Sequence, residues 1–174
     1  MNSKKILKYA KIIAAIAFGL LFFQKNSFAQ KKAEMKNMDM TVYKFMDKEG
    51  KKTSISDLKG KYVFVDVWAS WCRPCINKFP AFDSLKVALK DKNIVCLQIS
   101  IDAQERRWRN GMGFNGRIED QWFINGDPNF MKDLDVAYIP RYIIIDRKGK
   151  LINPKVDWKD NPQMLSELLK LKGI

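Results

Sequence analysis

No histidine occurs anywhere in the 174 residues. That absence excludes imidazole acid–base catalysis, a Cys–His nucleophile pair and any metal site that needs a His ligand. Cysteine is nearly as scarce, with three copies: Cys72, Cys75 and Cys96. So few cannot staple a disulfide-dense mini-domain, and a chain of this length builds a core without them. No second Cys-x-x-Cys pair completes a zinc site, and Ile76 stands where covalent haem attachment requires His. Acidic residues number 19 against 32 Lys and Arg. The basic excess is scattered, with no stripe carrying interleaved aromatics, so nucleic acid is not an expected partner. No apolar run reaches the ~20 residues that a membrane-crossing helix needs.

What is present begins with a basic N-terminus: Lys4, Lys5, Lys8 and Lys11 precede an apolar run from Ile12 to Phe23, and Ser27-Phe28-Ala29 follows. That order fits a secretory signal peptide over residues 1–29, cut after Ala29. An uncleaved membrane anchor is the alternative. Either leads to the bacterial periplasm or an equivalent compartment. Five of the lysines lie in that segment, so removing it leaves 27 basic and 19 acidic residues, a net of +8. A lysine-rich solvated surface accounts for this charge. Residues 30–40 read as a flexible polar leader in which Met35, Met38 and Met40 are incidental, although thioethers also suit Cu(I). One domain is expected over residues 41–174, as 47% hydrophobic and 12% aromatic content supports a packed core.

Within that domain Thr41 to Phe45 reads as a first strand and Asp47 to Gly50 as a turn. Tyr62 to Trp68 is apolar, β-branched and aromatic, the pattern of a strand covered on both faces. Ile76, Phe79, Phe82, Leu85 and Leu89 recur at helical spacing. Ile94 to Ile101 is a second buried strand, where Cys96 is an inert apolar residue. Residues 103–110 read as helical, Gln121 to Ile124 as a weak strand and Asn129 to Leu134 as a short helix. Tyr142 to Asp146 turns at Arg147 to Lys150 into a hairpin with Leu151 and Ile152. A last helix runs from Pro162 to about Lys172, with Asn161 as its N-cap. Alternating strands and helices with a closing hairpin and helix indicate an α/β sandwich around a mixed sheet.

The spacing of Trp71-Cys72-Arg73-Pro74-Cys75 has a chemical purpose. Cys72 falls at the mouth of a helix, where free N–H groups favour negative charge. Arg73 adds a full positive charge, and both effects lower a thiol pKa. Cys75 lies one turn deeper on the same face, within bridging distance. Pro74 in the first turn costs no needed hydrogen bond. Zinc is disfavoured for want of further ligands. Asp66, a charge within an apolar strand, is either edge-exposed or a buried functional carboxylate.

Val65-Asp66-Val67-Trp68-Ala69-Ser70-Trp71-Cys72-Arg73-Pro74-Cys75 resembles the active-site segment of the thioredoxin superfamily. Pro80 matches the kink proline of its active-site helix, and Ile139-Pro140 its cis-proline loop. The stretch from Ser54 to Lys61 and the long segment between Ile101 and Pro140 resemble the exported TlpA/ResA-type oxidoreductases, relatives of the peroxiredoxins. The resemblance implies a thioredoxin fold: a three-layer sandwich with a central mixed β-sheet, extra N-terminal strand(s) and an insert before the cis-proline strand. It implies catalytic roles for Cys72 as attacking thiolate, Cys75 as resolving thiol, Asp66 as a buried base and Pro140 as the residue against the disulfide. Trp71, Arg73, Pro74 and Ile139 would contact substrate. By the same resemblance, Gln98 stands where such proteins carry the lysine that pairs with the buried acid.

The expected activity is therefore thiol–disulfide exchange with oxidised protein substrates, including apocytochromes awaiting haem. No cofactor beyond the Cys72–Cys75 pair and no metal are expected, and a membrane-borne electron donor would re-reduce the pair. A thiol peroxidase is a weaker reading because the Pro-x-x-x-Thr-x-x-Cys pattern is absent. A non-enzymatic metal carrier is weaker still without His.

Overall fold

The computed structural model describes residues 35–116 and 119–174, together with Ile13 and Ile16. The signal peptide expected at residues 1–29 otherwise lies outside the described residues. The chain divides into two compact units, Met1–Met35 and Lys36–Ile174. Ile13 and Ile16 of the first are helical and exposed. The second holds a seven-stranded mixed sheet in the order β2-β1-β5-β4-β3-β6-β7. Its strands are β1 (Phe45–Asp47), β2 (Lys52–Thr53), β3 (Tyr62–Trp68), β4 (Ile94–Ser100), β5 (Gln121–Phe123), β6 (Arg141–Ile145) and β7 (Leu151–Val156). The helices are α1 (Arg73–Ala88), α2 (Glu105–Phe114), α3 (Pro128–Asp133) and α4 (Asn161–Leu169). This is the expected three-layer architecture, with β1 and β2 as the extra N-terminal strands and α2, β5 and α3 as the insert.

β3 sits near the middle, parallel to β4 and antiparallel to β6, and every one of its residues is buried. Its apolar run thus reflects cover on two faces. Tyr62, Phe64, Asp66 and Trp68 alternate onto one face. There Phe64 stacks on Phe82 of α1 at 5.9 Å, and Trp68 meets Phe79 edge-on at 5.1 Å. Met164 and Leu168 of α4 join the same cluster. Helix α2 covers this face too, since its Trp108 stacks on Phe123 at 5.3 Å and Phe123 shares the side of Trp68 by register. On the opposite face Phe130 of α3 packs on Phe45 at 5.4 Å. Each fully buried aromatic or aliphatic side chain contributes roughly 1.5–3 kcal/mol of transfer free energy.

Several local readings change. Thr41 to Phe45 is not one strand: Met40–Val42 form a 3-10 turn and the strand starts at Phe45. Asp39 causes this by accepting from the Thr41 N–H at 3.0 Å, a turn-forming bond that competes with extension. The leader expected at residues 30–40 joins the folded body from Asn37 onward. The Asn37 N–H bonds the Leu151 carbonyl at 2.8 Å, the Leu151 N–H bonds Met38 at 2.9 Å, and Met40 is fully buried. Gly149 permits this closeness, because a Cβ on it would lie 2.5 Å from Thr41 Cγ2 and its φ is +84°. The N-cap of α4 is Asp160, which accepts from the Gln163 N–H at 2.8 Å. Asn161 instead donates to the Ala81 carbonyl at 2.9 Å, tying α4 to α1.

Candidate active site

Helix α1 starts where β3 has ended and the chain has turned back over the sheet. Cys72 is its N-cap, and the Cys72 sulfur accepts from the Cys75 N–H at 3.2 Å. One donor that a helix start leaves unpaired is thereby satisfied. Cys72 and Cys75 form a disulfide with their Cα atoms 5.3 Å apart. Cys75 is fully buried, whereas Cys72 keeps 4% exposure. Pro74 is the second residue of the helix and, like Arg73, is exposed. Trp71 is 61% exposed beside the pair.

The peptide bond between Ile139 and Pro140 is cis. Since Val67 pairs with Arg141, Pro140 falls opposite Trp68, at the strand end from which the cysteine loop departs. Trp71 and Ile139 line a common groove of about 400 Å³ with Ile101, Met131, Val136 and Tyr138. Three separate stretches of the chain thus meet in this groove, and Trp71 at its wall directly precedes Cys72.

Asp66 is fully buried. It lies between Phe64 and Trp68 on the face that α1 covers, and Cys75 lies one turn before Phe79 on the buried side of α1. The carboxylate and the inner sulfur therefore share the layer between β3 and α1, so the edge-strand alternative fails. Gln98, its register partner on β4, donates to Asp66 Oδ2 at 2.8 Å. On the other side Asp66 pairs with Tyr142. Burial, and then the Asp66 charge, push the Tyr142 hydroxyl well above its ordinary value, so it stays protonated.

A second buried carboxylate was not singled out from the sequence. Asp102 accepts from the Ser70 N–H at 2.9 Å and hydroxyl at 2.7 Å, and from the Ser100 hydroxyl at 2.8 Å. Ser70 stands two residues before Cys72, so this cluster anchors the loop that leads into the cysteine pair. Gly111 of α2 allows the helix to close over it, since a Cβ there would sit 2.7 Å from Ser70 Cβ. The one available signal was position: Asp102 follows the C-terminal end of a buried parallel strand, where α/β sheets build sites. Cys96 is buried on β4, and loss of solvation pushes its thiol up to about 12. Among the described residues no group of three His, Cys, Asp or Glu side chains is arranged to hold a metal ion.

Cys72 caps the helix mouth with slight exposure, and its disulfide mate Cys75 is fully buried one turn beneath. That arrangement defines the thiol–disulfide oxidoreductases built on the thioredoxin fold. The chain belongs to the Redoxin family, which it matches over residues 30–170. It is similar to the thiol-disulfide oxidoreductase ResA of Bacillus thuringiensis (strain Al Hakam), with 26% identity over 170 residues, 97% of this chain and 98% of the relative. It is also similar to the thioredoxin-like protein YneN of Bacillus subtilis, with 28% identity over 126 residues, 68% of this chain and 70% of that one. Among solved structures, a thiol-disulfide oxidoreductase from Bacteroides vulgatus superposes with a TM-score of 0.67 at 34% identity, covering 75% of this chain and 88% of that one. The protein is thus a thiol–disulfide oxidoreductase with Cys72–Cys75 as its redox pair.

Proposed function

We propose that the protein reduces disulfides in exported proteins, acting in the periplasm or an equivalent compartment. The carrying observation is the Cys72–Cys75 disulfide at the N-terminus of α1, with Cys72 as the cap at 4% exposure and Cys75 fully buried one turn below. In the reduced protein the helix mouth and the Arg73 guanidinium favour the Cys72 thiolate. That thiolate attacks one sulfur of a client disulfide. A Cys72–client bond forms, the client S–S bond breaks, and the departing client thiolate takes a proton from solvent. Cys75 then gives its proton to the Asp66 carboxylate and attacks Cys72 Sγ. The Cys72–client bond breaks, the second client thiolate leaves, and the Cys72–Cys75 disulfide closes. Two electrons have passed to the client.

A client segment would lie extended along Ile139 and Pro140, pairing with backbone groups as an added strand does. Trp71 would cover the sulfurs, and the groove it shares with Ile139 would receive an apolar client side chain. Arg73 and Pro74, exposed at the rim, would touch the same segment. The basic and apolar start of the chain supports export as a signal peptide or anchor. Export removes the pair from cytosolic reductants, so a donor that carries electrons through the membrane must recharge it. Apocytochromes with paired cysteines are a fitting client class.

Insulin reduction by Cys72→Ser and Cys75→Ser variants tests this reading. Cys72→Ser is expected to be inactive, and Cys75→Ser to accumulate a Cys72-linked mixed disulfide. Parental turnover by Cys72→Ser would refute it. Titration of the pair against glutathione tests direction: a potential well below the glutathione couple is expected for a reductase, and one near the strongly oxidising end would reverse the assignment.

A further inference from the structure

Four buried polar groups on β3, β4 and β5 form one directed chain. Trp68 Nε1 donates to Gln121 Oε1 at 3.2 Å, Gln121 Nε2 donates to Gln98 Oε1 at 2.6 Å, and Gln98 Nε2 donates to Asp66 Oδ2 at 2.8 Å. Trp68 and Asp66 are fully buried, while Gln98 and Gln121 keep 1% and 2% exposure. The chain spans three neighbouring strands, because Asp66 registers with Gln98 and Gln98 with Gln121.

Its direction is not a free choice. An amide can present either its oxygen or its nitrogen to a neighbour, but an indole N–H only donates. Trp68 therefore draws the Gln121 oxygen to itself, which turns the Gln121 nitrogen toward Gln98. The Gln98 oxygen accepts it, which turns the Gln98 nitrogen toward Asp66. Every donor then points down the chain at the carboxylate, and successive bonds polarise one another. If both amides flipped, Gln98 would offer a carbonyl, which only a protonated Asp66 could satisfy.

We propose that Gln121 is a positioning residue for the exchange reaction: with Trp68 it fixes the Gln98 amide so that an N–H meets Asp66, holding that carboxyl ready to accept the Cys75 proton. This rests on the reading that Asp66 is the proton acceptor in resolution. The same face also carries the Tyr142 hydroxyl from β6, the Cys96 thiol and Ser100 hydroxyl from β4, and the Cys75 sulfur from α1. The chain contributes to the second step alone: Cys75 loses a proton to Asp66, the new Cys72–Cys75 bond forms, and the client thiolate leaves. Attack by Cys72 on the client does not draw on it.

Reduced protein mixed with an aromatic disulfide such as 5,5′-dithiobis(2-nitrobenzoate) reports both steps, releasing one coloured thiolate on attack and a second on resolution. Gln121→Glu keeps an acceptor for Trp68 but removes the N–H facing Gln98, reversing the chain with little change in shape. Gln121→Met removes both bonds while keeping length, so the same two rates are read in a variant with no added charge. Each is expected to slow the second release about tenfold and leave the first within about twofold. In an Asp66→Asn background neither should slow the second release further, as expected for residues acting through one group. Equal slowing of both releases, or an undiminished Gln121 effect in the Asp66→Asn background, overturns the inference. If Asp66→Asn slows resolution but neither Gln121 variant does, this inference fails and the Asp66 role stands. If Asp66→Asn leaves resolution unchanged, both fall.

Discussion

Asp102 holds Ser70 twice, through its backbone N–H at 2.9 Å and its hydroxyl at 2.7 Å, across 32 residues of sequence. The carboxylate is 1% exposed and takes a third donor from Ser100. The loop before Cys72 is therefore fastened to the end of β4.

Asp102→Ala strands three donors in a buried space. The expected loss is about 2–4 kcal/mol, measured by urea denaturation of the oxidised protein. Because Ser70 positions the loop, attack by Cys72 on a test disulfide should also slow, by about tenfold. A variant of parental stability would show that the cluster does not anchor the loop.

Gly111 and Gly113 make a matched pair on α2. Alanine improves helix propensity by about 1 kcal/mol at either site. At Gly113 nothing lies within 4 Å of the new Cβ, so Gly113→Ala should stabilise by about 0.5–1 kcal/mol. At Gly111 the Cβ would meet Ser70 Cβ at 2.7 Å, and overpacking of about 1–3 kcal/mol outweighs the propensity gain. Thermal melts of the two variants should move in opposite directions.

Cys96 should be silent in exchange. With its thiol pushed up to about 12 by burial, roughly one part in ten thousand is thiolate at pH 8. In the oxidised native protein it is the sole free cysteine. Its labelling by iodoacetamide should accelerate at least a hundredfold on unfolding in urea. Cys96→Ala should leave the rates of insulin reduction unchanged, and a slowed variant would contradict an inert role.

The Asp39 carboxyl is lowered to about 2 by bonds from Thr41 and by Lys150, whose ammonium lies 3.0 Å away. A carboxyl whose folded value is depressed adds stability above its unfolded value, 3.8, and loses it as pH falls toward 2. The group is 43% exposed, so solvent screening limits the effect to about 1 kcal/mol. Asp39→Asn should therefore be slightly less stable than the parent at pH 5 and equal to it near pH 2. Paired urea titrations at the two values check the sign.

The parts of the fold that were legible share a cause. β3, β4, α1 and the β6–β7 hairpin announce themselves through unbroken apolar runs or helical periodicity, because burial on a regular element repeats along the chain. The 3-10 turn at Met40 leaves no periodic signal in the sequence because one side-chain bond from Asp39 decides it. The cap of α4 shifted by one residue because Asn161 finds a better partner in Ala81, which is 80 residues away. Cys72, Cys75 and Pro74 could be placed from spacing alone, since a helix mouth is a local feature.

By itself the sequence determined the reactive pair, the strand and helix that carry it, and the exclusion of imidazole chemistry, all of which depend on neighbours along the chain. The pairing of Asp66 with Gln98 was already implied by the resemblance, but tertiary structure alone decided that Gln121 meets Trp68 and Gln98, and that Ser70 meets Asp102. Those pairings depend on strand order and register, and a parallel sheet sets them between segments dozens of residues apart.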